Sequence, residues 1–94
     1  MKKKIKLTYL KQAAKFIKKN NINENEIDNL VIKLIKIVKF NKQINLNYKT
    51  LKGELKGKYR IRKGKIRIIV TVKDNEVIIE AIIENIDFRG NIYK

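Results

Sequence analysis

Four arginines, Arg60, Arg62, Arg67 and Arg89, stand in a chain whose other cations are twenty lysines. Three of them fall in the run Tyr59-Arg60-Ile61-Arg62-Lys63-Gly64-Lys65-Ile66-Arg67. Alternation about a turn at Lys63-Gly64 puts Arg60, Arg62, Lys65 and Arg67 on one strand face, with Arg60 opposite Arg67. Like charges facing each other across a strand pair cost a few tenths to about 1 kcal/mol. The arrangement makes sense where an anion sits between them, because the guanidinium fork grips phosphate bidentately and stays charged at any relevant pH. Glu80, one strand over on the same face, is placed to neutralise the cluster in part. The fourth arginine belongs to Arg89-Gly90-Asn91-Ile92-Tyr93, a spacing that can bring a cation and a phenol to the sheet edge.

Other chemistries are closed off by composition. The chain has neither cysteine nor histidine, which excludes disulfides, thiolate–metal sites, histidine-ligated zinc and the commonest general base. No metal or cofactor is expected. The 24 Lys+Arg against 9 Asp+Glu give a net charge of +15, which predicts attraction to a polyanion. No apolar run exceeds three residues, far short of the ~20 that span a bilayer. The basic start, Met1 to Thr8, lacks the apolar stretch of a signal peptide. The expectation is a cytoplasmic protein with no membrane association.

The 94 residues, 44% of them hydrophobic, predict one domain over 1–94. Ile5 and Leu7 alternate with Lys4 and Lys6, which reads as a short first strand. Helical spacing follows from Tyr9 to Lys19, with Leu10, Ala13, Ala14 and Ile17 on one stripe and Asn20-Asn21 as the stop. A second helix is predicted from Glu24 to Phe40, with Ile27, Leu30, Val31, Leu34, Ile37 and Val38 apolar. Its acidic start and lysine-rich end suit the helix dipole. It is basic and amphipathic, as a membrane-surface helix would be, but an adjacent sheet needs a cover and the helix is assigned to that role. Residues 41–58 read mainly as loop, anchored by Leu51 and Leu55.

From Tyr59 onward the period is two. A turn at Asp74-Asn75 sets Val72 opposite Val77, Val70 opposite Ile79 and Ile68 opposite Ala81. Lys63-Gly64 sets Ile61 opposite Ile66 and Tyr59 opposite Ile68. One face then holds Ile66, Ile68, Val70, Val72, Val77, Ile79, Ala81 and Ile83, joined by Tyr59 and Ile61. The expected architecture is α+β: an N-terminal strand and an antiparallel helix hairpin packed on one face of a twisted antiparallel sheet.

The stretch from Leu51 to Val70 resembles the core of RelE/ParE-type toxins of toxin–antitoxin systems. The matching residues are Leu51-Lys52-Gly53, Tyr59-Arg60-Ile61-Arg62, Gly64-Lys65-Ile66-Arg67, and Arg89 with Tyr93. The order of strand, helix hairpin and sheet agrees as well. The resemblance implies a growth-inhibiting toxin bound by an acidic antitoxin in a hetero-oligomer. Its RelE-like branch implies a ribosome-dependent endoribonuclease that cleaves mRNA in the A site by 2′-hydroxyl attack on the adjacent phosphate. Arg67 and Arg89 would then stabilise the transition state, Arg60 and Arg62 would position the backbone or assist proton transfer, and Tyr93 would orient the nucleotide or act as base. Lys52, Lys56, Lys58 and Lys65 would contact nucleic acid. Many relatives carry a histidine where this chain has Phe88, so acid–base work would fall to Tyr93 or an arginine. Two other functions remain open at this stage: a ParE-like gyrase inhibitor acting by binding, and a non-catalytic basic binding module.

Overall fold

The computed structural model describes residues 3–51 and 57–88. The elements run β1 (Lys4–Tyr9), α1 (Lys11–Lys19), α2 (Glu24–Phe40), β2 (Tyr48–Thr50), β3 (Lys58–Lys63), β4 (Ile66–Asp74) and β5 (Ile78–Phe88). The five strands form one sheet in the order β1-β5-β4-β3-β2. Four of them pair antiparallel, while β1 joins parallel to β5, Ile5 beside Ile79 and Leu7 beside Ala81. The two helices lie on one face, and the architecture is the α+β arrangement expected from the sequence.

Helix α2 is bounded by sequence features that satisfy its end groups. Asn23 caps its start, its side chain accepting from the Asn25 N–H, with Glu24 and Glu26 in the first turn. Asn41 closes it in the left-handed conformation at φ 59°. The helix buries Ile27, Leu30, Val31, Leu34 and Ile35, a complete i, i+3, i+4, i+7, i+8 stripe. Ile35 therefore replaces Ile37 in the buried set, and Ile37 and Val38 are half-buried. Helix α1 starts at Lys11, because Tyr9 ends β1; it buries Ala13 and Ile17 and leaves Leu10 and Ala14 exposed.

The sheet face under the helices carries Ile61, Ile68, Val70, Val72, Ile79, Ala81, Ile83 and Ile86, all buried, and among the described residues no polar or charged side chain is buried. The apolar face is as expected, but both hairpin registers differ from expectation. Ile61 faces Ile68 and Tyr59 faces Val70, so the first turn is Gly64-Lys65. Glycine at φ +58° there supplies the positive φ that a two-residue hairpin loop needs at its first position. In the second hairpin Val72 faces Ala81 and Asp74 faces Ile79. The Asn75 N–H donates to the Ile78 carbonyl, and Asn75 Oδ1 accepts from the Val77 and Ile78 N–H groups at 2.8 and 2.7 Å. This side-chain-closed turn at Glu76-Val77 replaces the expected one at Asp74-Asn75, and it leaves Val77 exposed.

Two further features lie outside the sequence reading. Tyr48–Thr50 forms a strand on β3 within the segment expected to be loop, with Tyr48 beside Ile61 and packed against the core. A β-bulge interrupts β5: Val70 pairs with Ile83 but Ile69 pairs with Asn85, leaving Glu84 as the extra residue. The bulge changes the parity, so Ile83 and Ile86 both face the helices. Beyond the end of β1, Gln12 takes over the strand's hydrogen bonds. Its side-chain amide donates to the Ile86 carbonyl at 3.1 Å and accepts from the Ile86 N–H at 3.0 Å.

Ile68→Ala and Ile79→Ala, at 0% and 1% exposure, are each expected to destabilise by about 2–5 kcal/mol through a core cavity. Ala14→Ser, on the exposed side of α1, is expected to stay within about 0.5 kcal/mol. Urea denaturation of the three variants checks the assignment of faces.

Candidate nucleic-acid interface

With both helices on one side, the opposite face of the sheet displays the other half of each strand. On β3 these residues are Lys58, Arg60 and Arg62; on β4 they are Arg67, Ile69, Thr71 and Lys73. The face thus holds the three clustered arginines that the alternation pattern assigned to it. Their pairing is changed: Arg62 lies opposite Arg67, and Arg60 lies opposite Ile69 on one side and Lys49 of β2 on the other. Lys65 sits exposed in the β3–β4 turn. Lys52, Lys56, Arg89 and Tyr93 lie outside the described residues.

The like-charge contact of Arg62 with Arg67 is offset from the next strand. Asp87 of β5 is the register partner of Arg67. Arg67 donates from Nε to Asp87 Oδ1 at 3.0 Å and from Nη2 to Oδ2 at 2.9 Å, a fork-to-fork pair. The contact with Asp87 raises the Arg67 pKa further, so the guanidinium is permanently charged. It also fixes the guanidinium plane, leaving Nη1 to turn towards another anion. Glu80, expected to neutralise the cluster, instead accepts from Thr8 Oγ1 at 2.8 Å and faces Lys6 and Lys73.

The bulge residue Glu84 organises the other end of the face. It accepts from Lys58 Nζ and Thr71 Oγ1, both at 2.6 Å, so one carboxylate ties β3, β4 and β5 together across the open face. Lys58 and then Thr71 hold its pKa below the ordinary 4.5, against a smaller opposing effect of burial. Between these two anchored cations, Arg60 keeps its Nε buried and without a hydrogen-bond partner among the described residues. Neither Asp87 nor Glu84 was singled out in the sequence. Asp87 could have been found as the carboxylate nearest the closing arginine, but the bulge that sets its register has no local sequence mark.

Among the described residues no group of three or more histidine, cysteine, aspartate or glutamate side chains could hold a metal ion, and no helix is long and apolar enough to cross a membrane. The arrangement suits a polyanionic ligand laid across β3 and β4, met by three arginines of which Arg67 is fixed by Asp87.

No protein-family model and no curated protein matches the chain. Solved structures do. A YoeB/ParE toxin from Agrobacterium tumefaciens superposes with a TM-score of 0.61 at 16% identity, over 89% of this chain and 98% of that one. The DinJ-YafQ toxin-antitoxin complex from E. coli gives 0.57 at 14% identity, over the whole of both chains. A point mutant of YafQ from E. coli gives 0.55 at 13% identity, over 99% of this chain and 100% of that one. The chain has the RelE/ParE-type toxin fold. Among the described residues the helix pair covers one sheet face and the arginine-bearing face is left open.

The Glu84 anchor makes stability depend on pH. Because its folded pKa lies below the ordinary 4.5, the unfolded chain binds the proton more readily. The stabilisation is fully present above that ordinary value and is lost as pH falls through the folded one. The difference in urea midpoint between the wild type and Glu84→Gln is expected to be constant towards neutral pH and to shrink below about pH 4.5. A difference independent of pH would show that Glu84 is not the titrating group.

Proposed function

We propose that the chain is the toxin of a toxin–antitoxin pair and acts as a ribosome-dependent endoribonuclease. The observation that carries this reading is the placement of Arg60, Arg62 and Arg67 on one open sheet face. The fold itself, shared with a YoeB/ParE toxin and with the toxin of the DinJ-YafQ complex, supports the toxin role. The reaction is attack of an mRNA 2′-hydroxyl on the adjacent phosphate, which breaks the bond to the 5′-oxygen of the next nucleotide. Negative charge builds on the phosphoryl oxygens as the reaction proceeds. Fixed cations that face this charge lower the barrier, usually the largest single contribution in such a site.

In this mechanism Arg67, oriented by Asp87, and Arg89 stabilise the transition state. Arg60 and Arg62 hold the scissile backbone, with Lys52, Lys56, Lys58 and Lys65 on the flanking phosphates. Tyr93 orients a nucleotide or accepts the 2′-hydroxyl proton. The neutralising partner is an acidic antitoxin, drawn to a chain of net charge +15 and steered by long-range attraction that salt weakens.

The test is single-turnover cleavage of mRNA on programmed ribosomes, with ribosome binding measured separately. Arg67→Ala is expected to remain folded and to lose activity by on the order of 10²–10³-fold, the usual cost of removing one charge-stabilising group. Tyr93→Phe keeps the stacking ring and removes the hydroxyl. Its loss is expected to be measurable but smaller than that of Arg67→Ala. Full activity in Arg67→Ala would remove the nuclease site as drawn and leave gyrase inhibition by binding as the reading to test.

A further inference from the structure

One end of the molecule differs from the rest of its surface. Five large apolar side chains are exposed among the described residues, and three of them, Ile5, Phe40 and Val77, lie at this end. The Lys4 N–H donates to the Val77 carbonyl at 3.1 Å, which holds the β4–β5 turn beside the start of β1. Ile5 and Phe40, 37% and 43% exposed, share the floor of a groove of about 710 Å³ with Ile44. That volume lies within the ~300–1,000 Å³ of small-molecule sites. The groove opens on the helix side of the sheet, since Ile5 shares the parity of Leu7 and Phe40 ends α2.

The end of α2 places two cations at the rim. Asn41 turns the chain in the left-handed conformation, and the Lys42 N–H donates to the Lys36 carbonyl at 3.0 Å. Lys36 and Lys42 therefore start from adjacent backbone positions, and both line the groove. Their neighbours are neutralised and they are not. Lys3 pairs with Asp74 at 2.7 Å and Lys39 reaches the same carboxylate at 3.6 Å. Lys36 and Lys42 have no carboxylate partner among the described residues, and the Gln43 amide on the same lining makes no hydrogen bond among them. Two like charges held together without a counter-ion repel each other, and the apolar floor beside them stands in water.

We propose that this groove is a binding site for a long-chain carboxylate, a free fatty acid. The carboxylate lies between Lys36 and Lys42 and accepts from both ammonium groups and the Gln43 amide. The chain runs over Ile5, Phe40 and Ile44. Charge-assisted hydrogen bonds fix the head, and burial of apolar surface holds the tail. A ligand with only one of these parts does not suit the groove. A phosphodiester or a short acid leaves the floor in water, and a neutral chain leaves the two lysines uncompensated. The site lies on the other side of the sheet from Arg60, Arg62 and Arg67, and the proposal takes nothing from the nuclease reading.

The experiment uses the full chain and three probes: laurate below its micelle concentration, lauryl alcohol with the same chain and no charge, and butyrate with the same head and almost no chain. Binding is measured by calorimetry and located by methyl NMR. Laurate is expected to bind roughly ten-fold or more tightly than either other probe and to shift the Ile5 and Ile44 methyl signals. Lys36→Gln with Lys42→Gln is expected to weaken laurate roughly ten-fold and leave lauryl alcohol unchanged. Phe40→Glu, at an already exposed side chain, is expected to weaken laurate by at least as much. Lys15→Gln with Lys18→Gln removes the same net charge from the exposed side of α1 and is expected to change nothing. Thermal melts confirm that the variants fold. No binding of laurate, laurate no tighter than lauryl alcohol or butyrate, or an equal loss in the α1 double variant would overturn the proposal. Shifts confined to residues outside the groove would overturn it as well. Binding is read without RNA or ribosomes, so failure here leaves the nuclease reading untouched, and loss of mRNA cleavage leaves this site untouched.

Discussion

One-sided burial of the sheet is the constraint on which the rest of the molecule depends. Two helices cover one face of five strands, so the side that meets them must be apolar and the charges of each strand go to the other. Among the described residues, no charged side chain is buried, although 35% of the chain is charged. A displaced strand register of one residue would place Arg60 and Arg62 under the helices, at a cost far above what a small domain's stability can absorb. The arginine face is thus enforced by the core. Its residues share a surface because Ile61, Ile68 and Val70 must share the opposite one.

Concentrating cations in this way creates repulsion, and the sheet answers it with two carboxylates rather than with solvent alone. Asp87 reaches Arg67 from β5, and Glu84 reaches Lys58 and Thr71 from the same strand. The bulge is what allows Asp87 to do so. Without the extra residue, the parity that points Ile79, Ala81 and Ile83 towards the helices would bury position 87 and expose Ile86. The irregularity keeps Ile86 in the core and Asp87 on the face, where it fixes the guanidinium plane of Arg67. Gln12 stabilises the same stretch by satisfying the Ile86 backbone beyond the end of β1. An exposed ion pair contributes little to stability, so the benefit of the Arg67–Asp87 pair is orientation.

Much of this was legible in the residues. The boundaries of α2 followed from its stripe and its end charges, and Asn20 stops α1 as an amide-bearing residue does. Membership of the two sheet faces was also legible, because a period of two survives an error in turn position. Both hairpins are slipped relative to the expected registers, yet each slip preserves parity and leaves Arg60, Arg62 and Arg67 together. What did not follow was the identity of opposing partners. The turn at Gly64-Lys65 places Arg62, and not Arg60, against Arg67, and the closure by Asn75 Oδ1 moves the second turn to Glu76-Val77. Strand β2 was hidden because three residues are too few to show a period, and its pairing with β3 is a tertiary matter. Arg89 and Tyr93 fall outside the described residues, so their place in the site rests on the sequence motif.

The same alternation that builds the arginine face also shapes the opposite edge of the sheet, and the two surfaces differ in what they can recognise. The β3–β4 face offers three guanidinium forks, that of Arg67 fixed by Asp87; planar forks favour the compact charge of a phosphate over a peptide carboxylate dispersed along a chain. The β1 edge offers backbone groups turned away from β5, and the groove beside its start is apolar at the floor and rimmed by lysine. A basic protein of this size meets many polyanions through charge alone. Selectivity between them arises because the core's parity places rigid cations on one side of the sheet and a mixed apolar and basic groove at its margin.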